Sequence, residues 1–146
     1  MCASIQKGAF DNCNKLTVAL IGSACAYVDD YAFNGCANLE AFNAPNCTEI
    51  GSNAFMYCSK LSQAYTPKVS TIKDRAFYGT GISSFYIPSG CYVGYEAFAY
   101  CSSLTNITYD GWISDMGDWG DGGGASEAFY LVGASGIQCK DGFYNL

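Results

Sequence analysis

Apolar residues along this chain repeat on two scales. On the short scale, inward and outward positions alternate over stretches such as Ala41-Phe42-Asn43-Ala44 and Ser84-Phe85-Tyr86-Ile87, the period of a strand with one buried face. On the long scale the dipeptide Ala-Phe returns at Ala9-Phe10, Ala32-Phe33, Ala54-Phe55, Ala76-Phe77 and Ala97-Phe98, in steps of 23, 22, 22 and 21 residues. Self-similarity with a period in the low twenties predicts a stacked-coil repeat protein, in which each coil packs only on its neighbours.

Other slots refill in phase with the Ala-Phe. Four residues before each Ala stands Ile5, Val28, Ile50, Ile72 or Val93. Three residues after each Phe stands Cys13, Cys36, Cys58, Thr80 or Cys101. Then come Leu16, Leu39, Leu61, Ile82 (one place early) and Leu104. Three and five residues past that aliphatic stand Ala19/Ile21, Phe42/Ala44, Ala64/Thr66, Phe85/Ile87 and Ile107/Tyr109. These inward pairs predict one short strand per coil, in parallel register about 4.8 Å apart. Pro45, Pro67 and Pro88 follow the strand, where the chain turns and a missing N–H is tolerated. The Ala-Phe stretch is too short for a helix and predicts one turn or a 3₁₀ piece, with Ala in a tight contact and Phe filling the coil. A buried Phe contributes about 1.5–3 kcal/mol by transfer.

The pattern I-x-x-x-A-F-x-x-C-x-x-L-x-x-I-x-I-P resembles the BspA-like leucine-rich repeat family. Ile50 to Leu61 and Tyr95 to Ile107 carry it most closely, and the resemblance covers residues 2 to about 109. It implies a mainly β, right-handed solenoid of about five coils, with a parallel sheet on the concave face and short turns on the convex side. Residues 1–109 form the solenoid in this reading, and 110–146 a C-terminal cap in which Tyr109-Asp110-Gly111, Trp119 and Cys139-Lys140-Asp141-Gly142 loosely match the usual ending. Relatives are mostly non-catalytic binding modules of surface proteins. The resemblance therefore implies a cell-surface or secreted setting and adhesion, although residues 1–10 show no signal peptide.

At 146 residues, half of them apolar, the chain suffices for one domain with a continuous core. The net charge of −6 and seven scattered basic residues argue against nucleic acid. No run has the length of a membrane span, so the chain reads as soluble, without membrane insertion. Cys2 already occupies a repeat slot, so the first coil either has little cap or continues a longer chain. The exposed sheet edges at the solenoid ends invite self-association as a homodimer.

Nine cysteines would ordinarily signal disulfides or metal. Here Cys13, Cys36, Cys58 and Cys101 share a column with Thr80, and Cys2, Cys25 and Cys47 share one with Val69, with Cys91 one place out of phase. A slot that accepts Cys, Thr or Val needs a small side chain, not a ligand, so the cysteines read as free packing thiols. There is no C-x-x-C and no histidine, so neither a structural zinc nor the commonest general base is expected. No cofactor, metal or catalytic residue is assigned, and the chain reads as a non-enzyme. The acidic glycine-rich run Asp110 to Glu127 lacks the alternating order of calcium loops and reads as a solvated linker. Ala128-Phe129 misses the Ile and Cys slots and reads as a degenerate coil or a coincidence.

Residues two and four past each Leu should face outward. One column reads Val18, Ala41, Gln63, Ser84, Asn106, and the other Leu20, Asn43, Tyr65, Tyr86, Thr108. Within this flat, uncharged face, Leu20, Asn43, Gln63, Tyr65, Tyr86, Asn106 and Thr108 are the candidate partner-binding residues, because tyrosine supplies contact area with a polar handle. A protein partner is the first expectation. A glycan stacked on Tyr65/Tyr86 is an alternative, and so is a role as a small, virus-encoded inhibitor covering a partner's surface. Tyr57, Tyr78, Tyr95 and Tyr100 form a second aromatic patch beside the Phe column.

Overall fold

A computed structural model describes residues 3–109, together with the backbone of 137–139 and 142–144. Each coil contributes two strands joined by an arc carrying the Ala-Phe pair. Coil 1 holds β1 (Ser4–Ile5) and β2 (Val18–Leu20), and coil 2 holds β3 (Tyr27–Val28) and β4 (Ala41–Asn43). Coil 3 holds β5 (Glu49–Ile50) and β6 (Gln63–Tyr65), and coil 4 holds β7 (Thr71–Ile72) and β8 (Ser84–Ile87). Coil 5 holds β9 (Tyr92–Val93) and β10 (Asn106–Tyr109). An antiparallel pair, β11 (Ile137–Cys139) with β12 (Gly142–Tyr144), sets Cys139 opposite Gly142 and packs β11 against β10. The rest of the expected cap, including Trp119, Ala128-Phe129 and the acidic glycine-rich run, lies outside the described residues. So do Cys2 and the side chain of Tyr109.

The first strands of the five coils form one continuous parallel sheet, β1-β3-β5-β7-β9. Its strands are only two residues long, which is why the sequence marked them by a single branched aliphatic. The second strands, β2, β4, β6, β8 and β10, line the front, in parallel register Val18↔Ala41↔Gln63 and Ser84↔Asn106. This front sheet is interrupted between β6 and β8. Coil 4 is one residue short before Ile82, and Gly81 is drawn so close to coil 3 that a Cβ on it would lie 2.3 Å from the Ser59 carbonyl oxygen. The resulting shift in phase costs β8 its ladder with β6.

Phenylalanines run in single file through the core. Phe10, Phe33, Phe55, Phe77 and Phe98 stack with ring centroids 5.1, 5.2, 5.2 and 5.3 Å apart and planes within 8° of parallel. Phe42 and Phe85 meet this column edge-on or tilted from the front strands. The expectation of a wholly buried file fails at one end: Phe10 is 39% exposed, because no described coil covers its outer face. Cys13 is exposed and Leu16 half-buried for the same reason.

The arcs are not 3₁₀ pieces. Alternate residues bond within the coil, as in Ala32 N–H to Asp29 O, Asn34 N–H to Tyr31 O and Cys36 N–H to Phe33 O. The residues between them bond onward, as in Tyr31 N–H to Ser52 O, Phe33 N–H to Ala54 O and Gly35 N–H to Met56 O. The same three onward bonds join each successive pair of coils, and in every case the earlier coil donates. This zigzag requires left-handed backbone two residues before each Phe (Gly8, Tyr31, Asn53, Arg75, Glu96) and two after it (Asn12, Gly35, Tyr57, Gly79, Tyr100).

The cysteine columns are packing with a weak polar tie. Cys36, Cys58 and Cys101 donate S–H to the carbonyls of Phe10, Phe33 and Phe77 in the preceding coil, at 3.0, 3.1 and 3.0 Å. Cys25 and Cys47 bond within their own coil, to the carbonyls two residues on. Thr66 fills an inward slot that Ala44 and Ile87 fill elsewhere, and its buried Oγ1 has no hydrogen-bond partner. Thr66→Val keeps the shape and removes the orphan oxygen, so it should stabilise the fold by about 1–2 kcal/mol, read as a higher denaturation midpoint at unchanged m-value.

Candidate functional site

On the front sheet, alternation turns one residue of each strand inward and its neighbours outward. Ala19, Phe42, Phe85 and Ile107 are buried, and Ala64 is half-buried. Leu20, Asn43, Gln63, Tyr65, Tyr86, Asn106 and Thr108 are all exposed on the opposite side. The structure therefore brings all seven candidate residues onto one surface. Register aligns Leu20 with Asn43 and Asn43 with Tyr65, and beyond the interruption it aligns Tyr86 with Thr108.

Tyr65 and Tyr86 stand on either side of the break, 57% and 39% exposed. Gln63 and Ser84 occupy the neighbouring outward slots. With no acid or base among the outward residues of the five strands, the face offers aromatic area, amides and hydroxyls. That chemistry suits recognition of shape and of hydrogen-bonding groups.

Among the described residues no group of His, Cys, Asp or Glu side chains is placed to hold a metal ion. The buried thiols are poor nucleophiles. Burial pushes the Cys47 thiol up to about 11 and those of Cys58 and Cys91 up to about 12, and it raises Cys36 and Cys101 as well. Each shift carries a sign. A thiol whose proton is held more tightly in the folded state contributes fully below pH 9, and its contribution is lost as pH rises from about 9 towards 12, because the unfolded chain ionises first. The urea midpoint should accordingly fall steeply between pH 9 and 12, and Cys58→Thr, which copies coil 4, should flatten that fall. A disulfide has no such proton, so a pH-independent midpoint would contradict the reading of these residues as thiols.

Two surface ion pairs, Lys73 with Glu49 and Arg75 with Glu96, each close to 2.6 Å, tie neighbouring coils on the other faces. Each partner carboxylate holds its Lys or Arg above its ordinary value. Partly solvated pairs of this kind contribute little stability. No helix among the described residues is long and apolar enough to cross a membrane.

The pattern that defines the BspA type leucine rich repeat region matches residues 1–105, in six copies. The chain belongs to this family. No curated protein matches the sequence. Among solved structures, a leucine rich cell surface protein from Faecalibacterium prausnitzii is 32% identical, with a TM-score of 0.66 over 72% of this chain. A leucine-rich repeat protein from Bacteroides ovatus is also 32% identical, with a TM-score of 0.68 over 72% of this chain. The chain spans 28% of the length of each of these neighbours. BspA-type repeats thus account for the single-file Phe column and the parallel strands.

Sequence reasoning missed three features of the surface: the break in the front sheet, the second sheet, and the left-handed arc positions. The early arrival of Ile82 is the one signal that pointed to the break. The arc positions carry no common residue type, since Gly, Asn, Tyr, Arg and Glu all occupy them.

Proposed function

We propose that this chain is a non-catalytic protein-interaction module that docks a partner on the front sheet, in a surface-display or adhesion setting. The observation that carries the reading is the uncharged outward face on which Tyr65 and Tyr86 flank the break in the sheet. Tyrosines exposed on rigid strands lose little side-chain freedom on binding, which is why they are enriched among energetic anchors of interfaces. The cell-surface description of the F. prausnitzii neighbour supports the setting. The cysteines belong to the same reading, as reduced packing groups behind the face.

The test is a protein array and a glycan array probed in parallel with the wild-type chain and with Tyr65→Ala/Tyr86→Ala. A protein ligand bound by the wild type and weakened at least tenfold by the double variant supports the proposal. Binding that survives the double variant removes the face assignment. Tyrosine-dependent binding to glycans alone transfers the site to sugar recognition, where Asn43, Gln63 and Asn106 supply the hydrogen bonds.

A further inference from the structure

Coils 3 to 5 carry tyrosines on their arcs where coils 1 and 2 do without them. Two slots, one and two residues after the Phe, hold Asp11-Asn12, Asn34-Gly35, Met56-Tyr57, Tyr78-Gly79 and Ala99-Tyr100 in coils 1 to 5. The second slot is left-handed in every coil, with φ of 55, 69, 60, 66 and 58°. Glycine and asparagine meet that demand readily, whereas a bulky side chain resists it. The stack does not require rings here, because Asn and Gly build the same arc in coils 1 and 2. Strained aromatics that the fold can do without call for a chemical reading.

The rings touch in a row. Tyr57 meets Tyr78 at 5.7 Å and 86°, and Tyr78 meets Tyr100 at 4.9 Å and 47°. The second contact is the closer and the less perpendicular. It lies near the arrangement of two phenols joined through one carbon–carbon bond. Joined rings are twisted, because coplanar rings clash beside the bond and perpendicular rings lose conjugation. From 4.9 Å the Tyr78 and Tyr100 rings need to close only slightly to reach that state. Burial raises the Tyr78 phenol, and Tyr100 adds to the rise, partly through a hydrogen bond between the two hydroxyls. That bond draws together the ring edges that carry the oxygens, where the reactive ortho carbons lie. Tyr100 is 46% exposed and open to an oxidant, and Tyr78 is half-buried.

We propose that Tyr78 and Tyr100 are a site of oxidative modification, coupling through their ortho carbons into a dityrosine that staples coil 4 to coil 5. The oxidant is hydrogen peroxide acting through a haem peroxidase. Each phenol gives up one electron and its hydroxyl proton, leaving a phenoxyl radical whose unpaired electron is shared with the ortho carbons. Two ortho carbons, one from each ring, then bond. Each sheds its hydrogen as a proton while the adjacent oxygen regains one, which restores both phenols. The pair loses two hydrogen atoms in all, and one peroxide is reduced to two waters. The link joins residues 22 apart in sequence, so it removes freedom from the unfolded chain while the touching rings barely move. Tyr57 is the internal comparison, since it lies wider from Tyr78 and nearly perpendicular to it.

The test treats the full chain with hydrogen peroxide and a haem peroxidase, after its exposed thiols are capped with iodoacetamide so that they do not quench radicals. The monomer isolated by gel filtration should show dityrosine fluorescence, lack two hydrogens by mass and unfold at higher urea than the untreated chain. Cleavage after glutamate puts Tyr78 in residues 50–96 and Tyr100 in 97–127, and the linked product should keep both in one piece. Tyr78→Phe and Tyr100→Phe keep the rings, so both should fold, and each should cut the yield at least tenfold. Tyr57→Phe and Tyr65→Phe/Tyr86→Phe should leave it within twofold. Fluorescence confined to dimers and larger species, a yield undiminished by Tyr78→Phe or Tyr100→Phe, an unchanged urea midpoint of the linked monomer, or no dityrosine from the wild type would each overturn the proposal.

Discussion

Phe55→Ala should destabilise the solenoid by about 3–5 kcal/mol, among the largest effects of any single truncation in this chain. Phe55 is fully buried, stacked between Phe33 and Phe77 and met edge-on by Phe42. Its removal leaves a void closed by rings above and below, and neither can move without opening a further gap in the file. Phe10→Ala is the internal comparison, because Phe10 has one stacked neighbour and an exposed face. It should cost well under half as much. Urea denaturation of the two variants beside the wild type reads the difference directly. Equal losses would mean that the stacking is not cooperative along the axis.

Gly51→Ala is the second large effect, and it acts through backbone. A Cβ at Gly51 would lie 2.5 Å from the Asp30 nitrogen and 2.6 Å from the Asp29 carbonyl carbon. Asp30 Oδ1 also accepts the Ser52 N–H at 2.9 Å, so the coils are locked together at this point. Gly94 repeats the arrangement over Asp74, which accepts the Tyr95 N–H at 2.9 Å. No side-chain rotation relieves such a clash, and the whole coil must shift. A loss of about 1–3 kcal/mol or more is expected. Gly22→Ala, with nothing within 4 Å of the added Cβ, should be neutral or slightly stabilising by contrast. Melting temperatures of the pair check both statements. A Gly51→Ala protein as stable as the wild type would mean that adjacent coils slide more freely than close-packed arcs permit.

How much of this was legible in the sequence depended on whether a position repeats a residue type. The Phe file, the cysteine columns and the inward-outward alternation of β4 and β8 were readable because burial restricts the allowed side chains in every coil. The seven front-face candidates followed from that alternation and fell on one surface as expected. Exposure of Phe10 was not readable, because it depends on what lies beyond coil 1 and not on the repeat itself. The left-handed positions at Tyr31, Tyr57 and Arg75 were hidden because their N–H groups donate to the next coil, and that bonding enforces the conformation on side chains that would ordinarily avoid it. The break between β6 and β8 was only half visible. A missing residue can be counted, but whether the strand or the turn absorbs it is a matter of packing around Gly81.

The one-way bonding of the arcs gives the molecule a direction. With every arc donating to its successor, the peptide dipoles along this side add as they do in a helix. Coil 1 is left presenting the carbonyls of Lys7, Ala9 and Asp11 without a backbone donor among the described residues. A group packed on the coil 1 side of the arcs is therefore favoured when it offers N–H donors or positive charge to these carbonyls.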